Sequence, residues 1–359
     1  NINKSLRSQK LILQAKNIVN NKAPYDLVKK MRASILVLGP LLARTGKAIV
    51  SLPGGCAIGT RPVDMHLKSL KKLGAVVSIE DGYIFAKAPK GLRGNKIIFP
   101  KISVGATTNI LMASVLANGT TEIVNSAKEP EIIDLGNCLK SMGAKIHGLG
   151  TNRIVVQGVS SLKESSYQVM YDRIEIGTYA LATAITGGEI ELLGAKKDFL
   201  NSFLNILEII GVKYFITDES IIFKKNSNTL YPIDVTTEPY PGFPTDLQAQ
   251  LMAVMSTSNG TSFITENIFE NRFMHVPELI RMGAKIKLKG NLAIIEGIKK
   301  LKGAEVMATD LRASVSLILA GLAAEEETNI GRVYHIYRGY QNIVENLRQC
   351  GAMIKRIKI

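Results

Sequence analysis

Cysteine is scarce in this 359-residue chain: Cys56, Cys138 and Cys350 stand far apart. They exclude a disulfide framework and fit a reducing cytoplasm. Histidine is nearly as rare, with four scattered residues, and no paired cysteine spacing accompanies it. That argues against a structural zinc site. No apolar run is long enough to span a bilayer, and the longest candidate, Ile35 to Leu42, is soon followed by Arg44 and Lys47. The start of the chain carries no secretory apolar region. RGG, zinc-finger and RNP-like motifs are also missing, although 45 Lys and Arg against 30 Asp and Glu leave a net charge of +15. The lysines are dispersed through strand and turn segments. The expected partners are therefore anionic small molecules rather than nucleic acid.

What the chain does contain is core-forming material and a repeat. It is 46% hydrophobic and 21% charged, the balance of a soluble globular protein of two domains. Helix ends followed by a small-residue turn recur at Lys72-Leu73-Gly74-Ala75, Ser141-Met142-Gly143-Ala144, Ile209-Ile210-Gly211-Val212, Arg281-Met282-Gly283-Ala284 and Gln349-Cys350-Gly351-Ala352. The glycines lie at 74, 143, 211, 283 and 351, at intervals of 69, 68, 72 and 68. Glycine just past a helix is the favoured cap, because it accepts the left-handed conformation. A second turn recurs half a unit earlier, at Gly46, Gly119, Gly187-Gly188 and Gly260, while the fifth copy, Glu326-Glu327-Thr328-Asn329, has no glycine. Each unit reads as helix, turn, strand, loop, helix, glycine, strand, turn, strand. A period near 70 exceeds the common solenoids and suits an α/β unit used several times in a closed architecture. Counting back one period from Gly74 reaches the chain start, where Leu11 to Lys16 reads as a last strand. The expectation is five complete units, with most of an earlier one absent.

The loop Pro53-Gly54-Gly55-Cys56-Ala57-Ile58-Gly59-Thr60-Arg61 sets a thiol among loop formers and near a cation. A thiol in that setting ionises and exchanges protons, although a free cysteine also serves as a small buried hydrophobe. Spacing alone leaves both readings open.

Ordered segments along the whole chain then carry a resemblance. They include Ala23-Pro24-Tyr25-Asp26, Met31-Arg32-Ala33-Ser34, the Cys56 loop through His66, Ser103-Val104-Gly105-Ala106-Thr107, Glu129-Pro130-Glu131 and Asp172-Arg173-Ile174-Glu175. Further on come Pro244-Thr245-Asp246-Leu247-Gln248, Glu270-Asn271-Arg272-Phe273, Thr309-Asp310-Leu311-Arg312 and Arg338-Gly339-Tyr340. In these the chain resembles the enolpyruvyl transferase family, in particular the members acting on UDP-N-acetylglucosamine. The resemblance implies an α/β fold of two inside-out barrels with helices inside and sheets outside. It implies six units in the family, domains at 1–170 and 171–359, and an active site in the cleft between them. The implied reaction moves the enolpyruvyl group of phosphoenolpyruvate to the sugar 3-hydroxyl and releases phosphate. It opens peptidoglycan precursor synthesis, in the cytoplasm, in a monomer, with no metal or cofactor.

The same resemblance assigns residues. Cys56 is the proton donor to the phosphoenolpyruvate methylene and the target of the epoxide antibiotic fosfomycin, and Asp246 is the base at the sugar hydroxyl. An alternative for Asp246 is a helix N-cap. Arg61, Arg338 and Arg272 hold phosphoenolpyruvate, with guanidinium forks matched to phosphate and carboxylate. UDP-N-acetylglucosamine lies along Arg32, Arg61, Pro62, Val63, Asp64, Met65, Lys101, Ser103, Val104, Gly105, Asp246 and Ile268. Glu129, Asp172, Asp310, Arg312 and His335 stand behind these, with structural ion pairing as the alternative. Two departures from the family pattern matter. Lys16-Asn17 imitates the family's lysine-asparagine pair in the wrong place, and Tyr337 stands where an aspartate is usual. The competing functional readings are 3-phosphoshikimate 1-carboxyvinyl transfer on the same fold, and an inactive remnant or binding module.

Overall fold

The computed structural model describes residues 2–5, 10–29, 31–53, 62–225 and 229–357. The chain divides into two compact units, one formed by Asn1–Gly54 with Pro62–Gln168, the other centred on Val169–Ile359.

The first unit opens with an antiparallel hairpin, β1 (Ile2–Ser5) on β2 (Lys10–Leu13). Next come β3 (Lys22–Ala23), α1 (Tyr25–Val28), a 3₁₀ turn Arg32–Val37, α2 (Leu38–Thr45), β4 (Lys47–Ser51), α3 (Asp64–Lys72), β5 (Val76–Glu80) and β6 (Tyr83–Lys87). A second pass gives β7 (Lys96–Ile98), α4 (Val104–Ser114), β8 (Thr120–Val124), α5 (Pro130–Ser141), β9 (Lys145–His147) and β10 (Arg153–Gln157). In the second unit, α6 (Arg173–Thr186), β11 (Glu189–Leu193), α7 (Asn201–Ile209), β12 (Val212–Ile216) and β13 (Ser220–Lys225) form the third pass. The fourth is β14 (Asp234–Thr236), α8 (Gln248–Met255), β15 (Thr261–Thr265), α9 (Val276–Arg281), β16 (Lys285–Lys289) and β17 (Leu292–Glu296). The fifth is β18 (Glu305–Met307), α10 (Leu311–Ala323), β19 (Asn329–Gly331), a 3₁₀ turn Val333–Arg338 and α11 (Ile343–Gln349).

The repeat is therefore βαβαββ. Three sheets share one order, β3-β4-β6-β5, β7-β8-β10-β9 and β14-β15-β17-β16. In each the leading pair is parallel and the others antiparallel. Sequence reading missed the leading strands, which are only two or three residues long. It also expected a closing hairpin in the fifth copy, where no strand follows Gly351 among the described residues.

The recurring glycines do what their position requires. Gly74, Gly143, Gly211, Gly283 and Gly351 have φ of +93°, +101°, +97°, +89° and +92°. At four of them the residue beyond closes the helix end onto a carbonyl five residues back, as Ala75 does on Leu70 at 3.0 Å. The fifth copy of the half-unit turn, which has no glycine, still adopts the same hand: Glu326 sits at φ +69°.

Helices fill the interior of each unit. Every residue of α8 is buried, and α6, α8 and α10 pack on one another. A helix buried all round belongs in a core, here with Gln248 and Gln250 among its apolar residues, whereas β16 and β12 keep most of their side chains exposed or half-exposed. In the first unit α2 and α4 make the corresponding contact. Among the described residues every strand ladder stays within its own repeat. At four of the five glycine-capped helix ends a main-chain bond ties a cap carbonyl to the segment beyond the hairpin: Arg93 N–H to Leu73 O at 2.8 Å, Lys163 to Met142 at 2.8 Å, Tyr231 to Ile210 at 3.2 Å and Lys302 to Met282 at 2.9 Å. No helix among the described residues is long and apolar enough to cross a membrane.

Candidate active site

In the second unit the candidate residues gather where α6, α8 and α10 begin. Asp172 caps α6, its Oδ1 accepting from the N–H groups of Ile174 at 2.8 Å and Glu175 at 3.2 Å. Asp310 caps α10 in the same way through Arg312 at 2.9 Å and Ala313 at 3.2 Å. Both aspartates thus start helices whose positive ends face the same cluster. Asp246 behaves differently. It lies in a 3₁₀ turn, Thr245–Leu247, and its side chain caps nothing. The N-cap reading is corrected: the carboxylate is spent on Arg272, Nη2 to Oδ1 at 2.6 Å, and on Arg312, Nη2 to Oδ2 at 3.2 Å. Burial opposes its ionisation, but Arg312 and Arg272 outweigh it and hold the carboxyl below its ordinary range. Arg272 and Arg312 are themselves 5% and 12% exposed, while Asp246 keeps 40% of its side chain open. Asp246 is thus the most exposed side chain of the three, although both of its carboxylate oxygens are paired.

Behind it lies a polar chain that the sequence reading did not assign. Arg312 Nη1 donates to Tyr340 Oη at 3.0 Å. Thr178 gives its hydroxyl proton to Ile174 O at 2.8 Å, so Tyr340 must donate to Thr178 Oγ1 across 2.9 Å. Gln250 Nε2 donates to the Asp246 carbonyl at 2.9 Å and to Thr178 Oγ1 at 3.2 Å. Glu266, 3% exposed, is another unassigned residue. Its Oε1 accepts from the N–H groups of Ile268 at 2.8 Å and Phe269 at 3.1 Å, and its Oε2 accepts from Thr245 at 2.8 Å. One carboxylate thus fixes both the Ile268 loop and the residue preceding Asp246. The Phe269 ring carries the Arg272 guanidinium at 5.6 Å.

Arg338 ends the exposed 3₁₀ turn Val333–Arg338 and is not hydrogen-bonded to this cluster. Its link is Tyr340, two residues on. His335 stacks on Tyr334 with centroids 4.2 Å apart, and Tyr337 lies under the Arg356 guanidinium at 4.7 Å. Glu129, 8% exposed, stands at the start of α5.

In the first unit the candidates meet at the start of α4. Ser103 caps this helix, its Oγ accepting from Ala106 N–H at 3.2 Å. Val104 is 41% exposed and Lys101 is also exposed. His66 lies on the inner face of α3 with Leu67 and Leu70, and is 6% exposed. Burial drives its pKa down to about 4, Arg32 adds to that, and Asp64 opposes it. Asp64 is exposed and pairs with Lys68 at 3.4 Å. Pro62 is exposed and Val63 packs on the core. Met65, 8% exposed, packs in the core of this unit. Cys56 and Arg61 lie outside the described residues. Among the described residues no cluster of His, Cys, Asp or Glu could hold a metal ion.

Comparison with known proteins decides the family. The family model described as EPSP synthase (3-phosphoshikimate 1-carboxyvinyltransferase) matches residues 2–347. The chain is 58% identical over 348 residues to the UDP-N-acetylglucosamine 1-carboxyvinyltransferase of Dinoroseobacter shibae, covering 97% of this chain and 82% of that protein. It is 59% identical over 341 residues to the protein of the same name from Gluconacetobacter diazotrophicus, covering 95% and 81%. The chain belongs to the UDP-N-acetylglucosamine 1-carboxyvinyltransferases, within the enolpyruvyl transferase family. The fold agrees. The enolpyruvyl transferase NikO from Streptomyces tendae superposes with a TM-score of 0.86 at 23% identity, covering 99% of this chain and 84% of that one. EPSP synthase from Acinetobacter baumannii gives 0.66 at 20%, covering 88% and 76%.

Proposed function

We propose that this carboxyvinyltransferase moves the enolpyruvyl group of phosphoenolpyruvate onto the 3-hydroxyl of UDP-N-acetylglucosamine, the entry step of peptidoglycan precursor synthesis. The observation that carries the reading is identity of 58–59% to proteins of that name over nearly the whole chain. The Asp246 triad is the chemistry consistent with it.

In this reading Asp246 takes the proton of the sugar hydroxyl as that oxygen bonds to C2 of phosphoenolpyruvate. Cys56 gives a proton to C3. In the second half C3 loses a proton, the C2–O bond to phosphate breaks, and inorganic phosphate leaves. Asp246 suits the first role because it is ionised and open to a substrate. Arg272 and Arg312 supply fixed positive charge for the phosphate and carboxylate, and Arg338 joins them from the neighbouring turn. The first domain, 1–170, carries the nucleotide: Arg32, Arg61, Pro62, Val63, Asp64, Met65, Lys101 and the Ser103-Val104-Gly105 turn. The N–H groups at the start of α4 offer a seat for the diphosphate. The second, 171–359, carries Asp246 and Ile268 at the sugar. A monomer in the cytoplasm completes the reading.

Phosphate release from phosphoenolpyruvate tests it directly. Release should depend strictly on UDP-N-acetylglucosamine, and Asp246→Asn should lower kcat by about 10²–10⁴-fold with the KM values little changed. Release without the nucleotide sugar, or an unimpaired Asp246→Asn variant, would refute the assignment. Cys56→Asp should keep turnover, since a carboxyl also delivers a proton, and should abolish alkylation by an epoxide.

A further inference from the structure

In the first unit the main chain dictates the protonation of one buried ring. Gly39 brings α2 so close to α4 that a Cβ there would stand 2.3 Å from Asn109 Oδ1 and 2.5 Å from the Asn109 carbonyl oxygen. Across that contact the Gly39 N–H donates to Asn109 Oδ1 at 2.7 Å, and Asn109 Nδ2 donates to the Ile35 carbonyl at 3.2 Å. A main-chain N–H only donates and a carbonyl only accepts, so the amide has one orientation. Asn109 is fully buried, and its Nδ2 also faces His66 Nδ1 at 3.0 Å. Nδ2 cannot accept, so Nδ1 must, and it carries no proton. His66 is then a neutral imidazole protonated on Nε2. The burial that pulls its pKa to about 4 keeps that form at neutral pH.

The protonated edge has a direction. Nε2 and Cε1 each lie 3.4 Å from the place a Cβ on Gly105 would occupy, so this edge faces the bare first turn of α4. The N–H groups of Val104 and Gly105 have no partner inside the helix. Arg32 is near enough to act on the ring.

We infer that His66 is a further ligand of the diphosphate, its Nε2–H donating to a phosphoryl oxygen on the first turn of α4, with Asn109 as the positioning residue that holds the ring in that tautomer. The inference rests on the nucleotide reading of the Ser103–Gly105 turn. It gives the site a neutral donor beside its cations, one that selects oxygen position without adding charge.

Calorimetry on the full chain, with UDP and uridine as probes, tests it. A glutamine amide nitrogen reaches the place of Nε2, and an asparagine one reaches only that of Nδ1. UDP affinity should stay within about threefold in His66→Gln and fall about ten- to hundredfold in His66→Asn, the worth of one hydrogen bond to a charged group. Uridine affinity should be the same in all three proteins. Equal UDP binding by the wild type and His66→Asn overturns the inference while the nucleotide reading stands. A parallel loss for uridine overturns it too, since the effect would then come from the fold. A wild type that does not bind UDP overturns the nucleotide reading itself. Nitrogen-15 NMR of the ring needs no destabilised variant: Nε2 should be protonated and Nδ1 bare. In Asn109→Asp, whose carboxylate only accepts, Nδ1 should gain a proton. A protonated Nδ1 in the wild type overturns the tautomer and with it the role of Asn109.

Discussion

His66 in the first unit and His275 in the second are 6% and 1% exposed, and burial drives both pKa values down to about 4. Around His66 the main chain has arranged an acceptor, an amide and a ring in series. Around His275 neither ring nitrogen makes a well-formed hydrogen bond among the described residues. Asp310 pulls its pKa up and Arg272 pushes it down, but burial leads. The contrast teaches that an equal pKa does not mean an equal job. One ring is neutral with a fixed tautomer and faces the start of a helix. The other is neutral because no charge survives there.

The largest effect that tests this contrast is acid destabilisation. Both residues have a folded pKa of about 4 against 6.5 unfolded. Above pH 6.5 neither state binds the proton and no stability is lost. As pH falls from 6.5 the unfolded chain takes up protons that the folded chain refuses, so stability drops until about pH 4 and then levels. Each histidine should contribute a loss of about 3 kcal/mol across that window. Urea unfolding between pH 7.5 and 4 would measure it, and His275→Phe should remove about half. At pH 7.5 the same change should cost under about 1 kcal/mol. His66→Phe, which strands an Asn109 N–H, should cost about 1–3 kcal/mol. Similar costs for the two would erase the distinction.

Next in size is a pair of glycines at the central helix contacts. Gly39→Ala would drive a methyl into Asn109, including its immobile carbonyl at 2.5 Å, whereas Gly177→Ala would meet only the Leu247 methyls, at 2.6 Å and 3.0 Å. Overpacking should cost about 3 kcal/mol at Gly39 and about 1 kcal/mol at Gly177, because a leucine end moves and a helix backbone does not. Thermal melts of the two variants suffice. The smallest effect is a gain. Glu326 holds φ +69° without being glycine, so Glu326→Gly should stabilise by about 1 kcal/mol.

Much of this organisation is legible in the sequence because it is local. The capping glycines announce themselves through a backbone angle that other residues resist, and their spacing alone defines the repeat. The leading strands of two or three residues leave no periodic signal. The Asp246 triad is likewise hidden, since its arginines lie 26 and 66 residues away, and nothing local separates an N-cap from an ion pair. The residues through Pro-Thr-Asp read as a helix start, but a 3₁₀ turn intervenes and releases the carboxylate. His66 was visible as part of a matched segment. Asn109, 43 residues on, became informative only once three helices were packed around it.

The confinement of every ladder to one repeat has a consequence for how the molecule loosens. No sheet hydrogen bond need break for one repeat to part from the next. Among the described residues the seam is held by side chains and by main-chain ties such as Arg93 to Leu73, Tyr231 to Ile210 and Lys302 to Met282. Opening should therefore proceed in whole cassettes of about seventy residues rather than by unzipping of strands. The amide protons of Arg93, Tyr231 and Lys302 are the built-in gauges of that event, since each is shielded only while its cassette stays docked on the one before it.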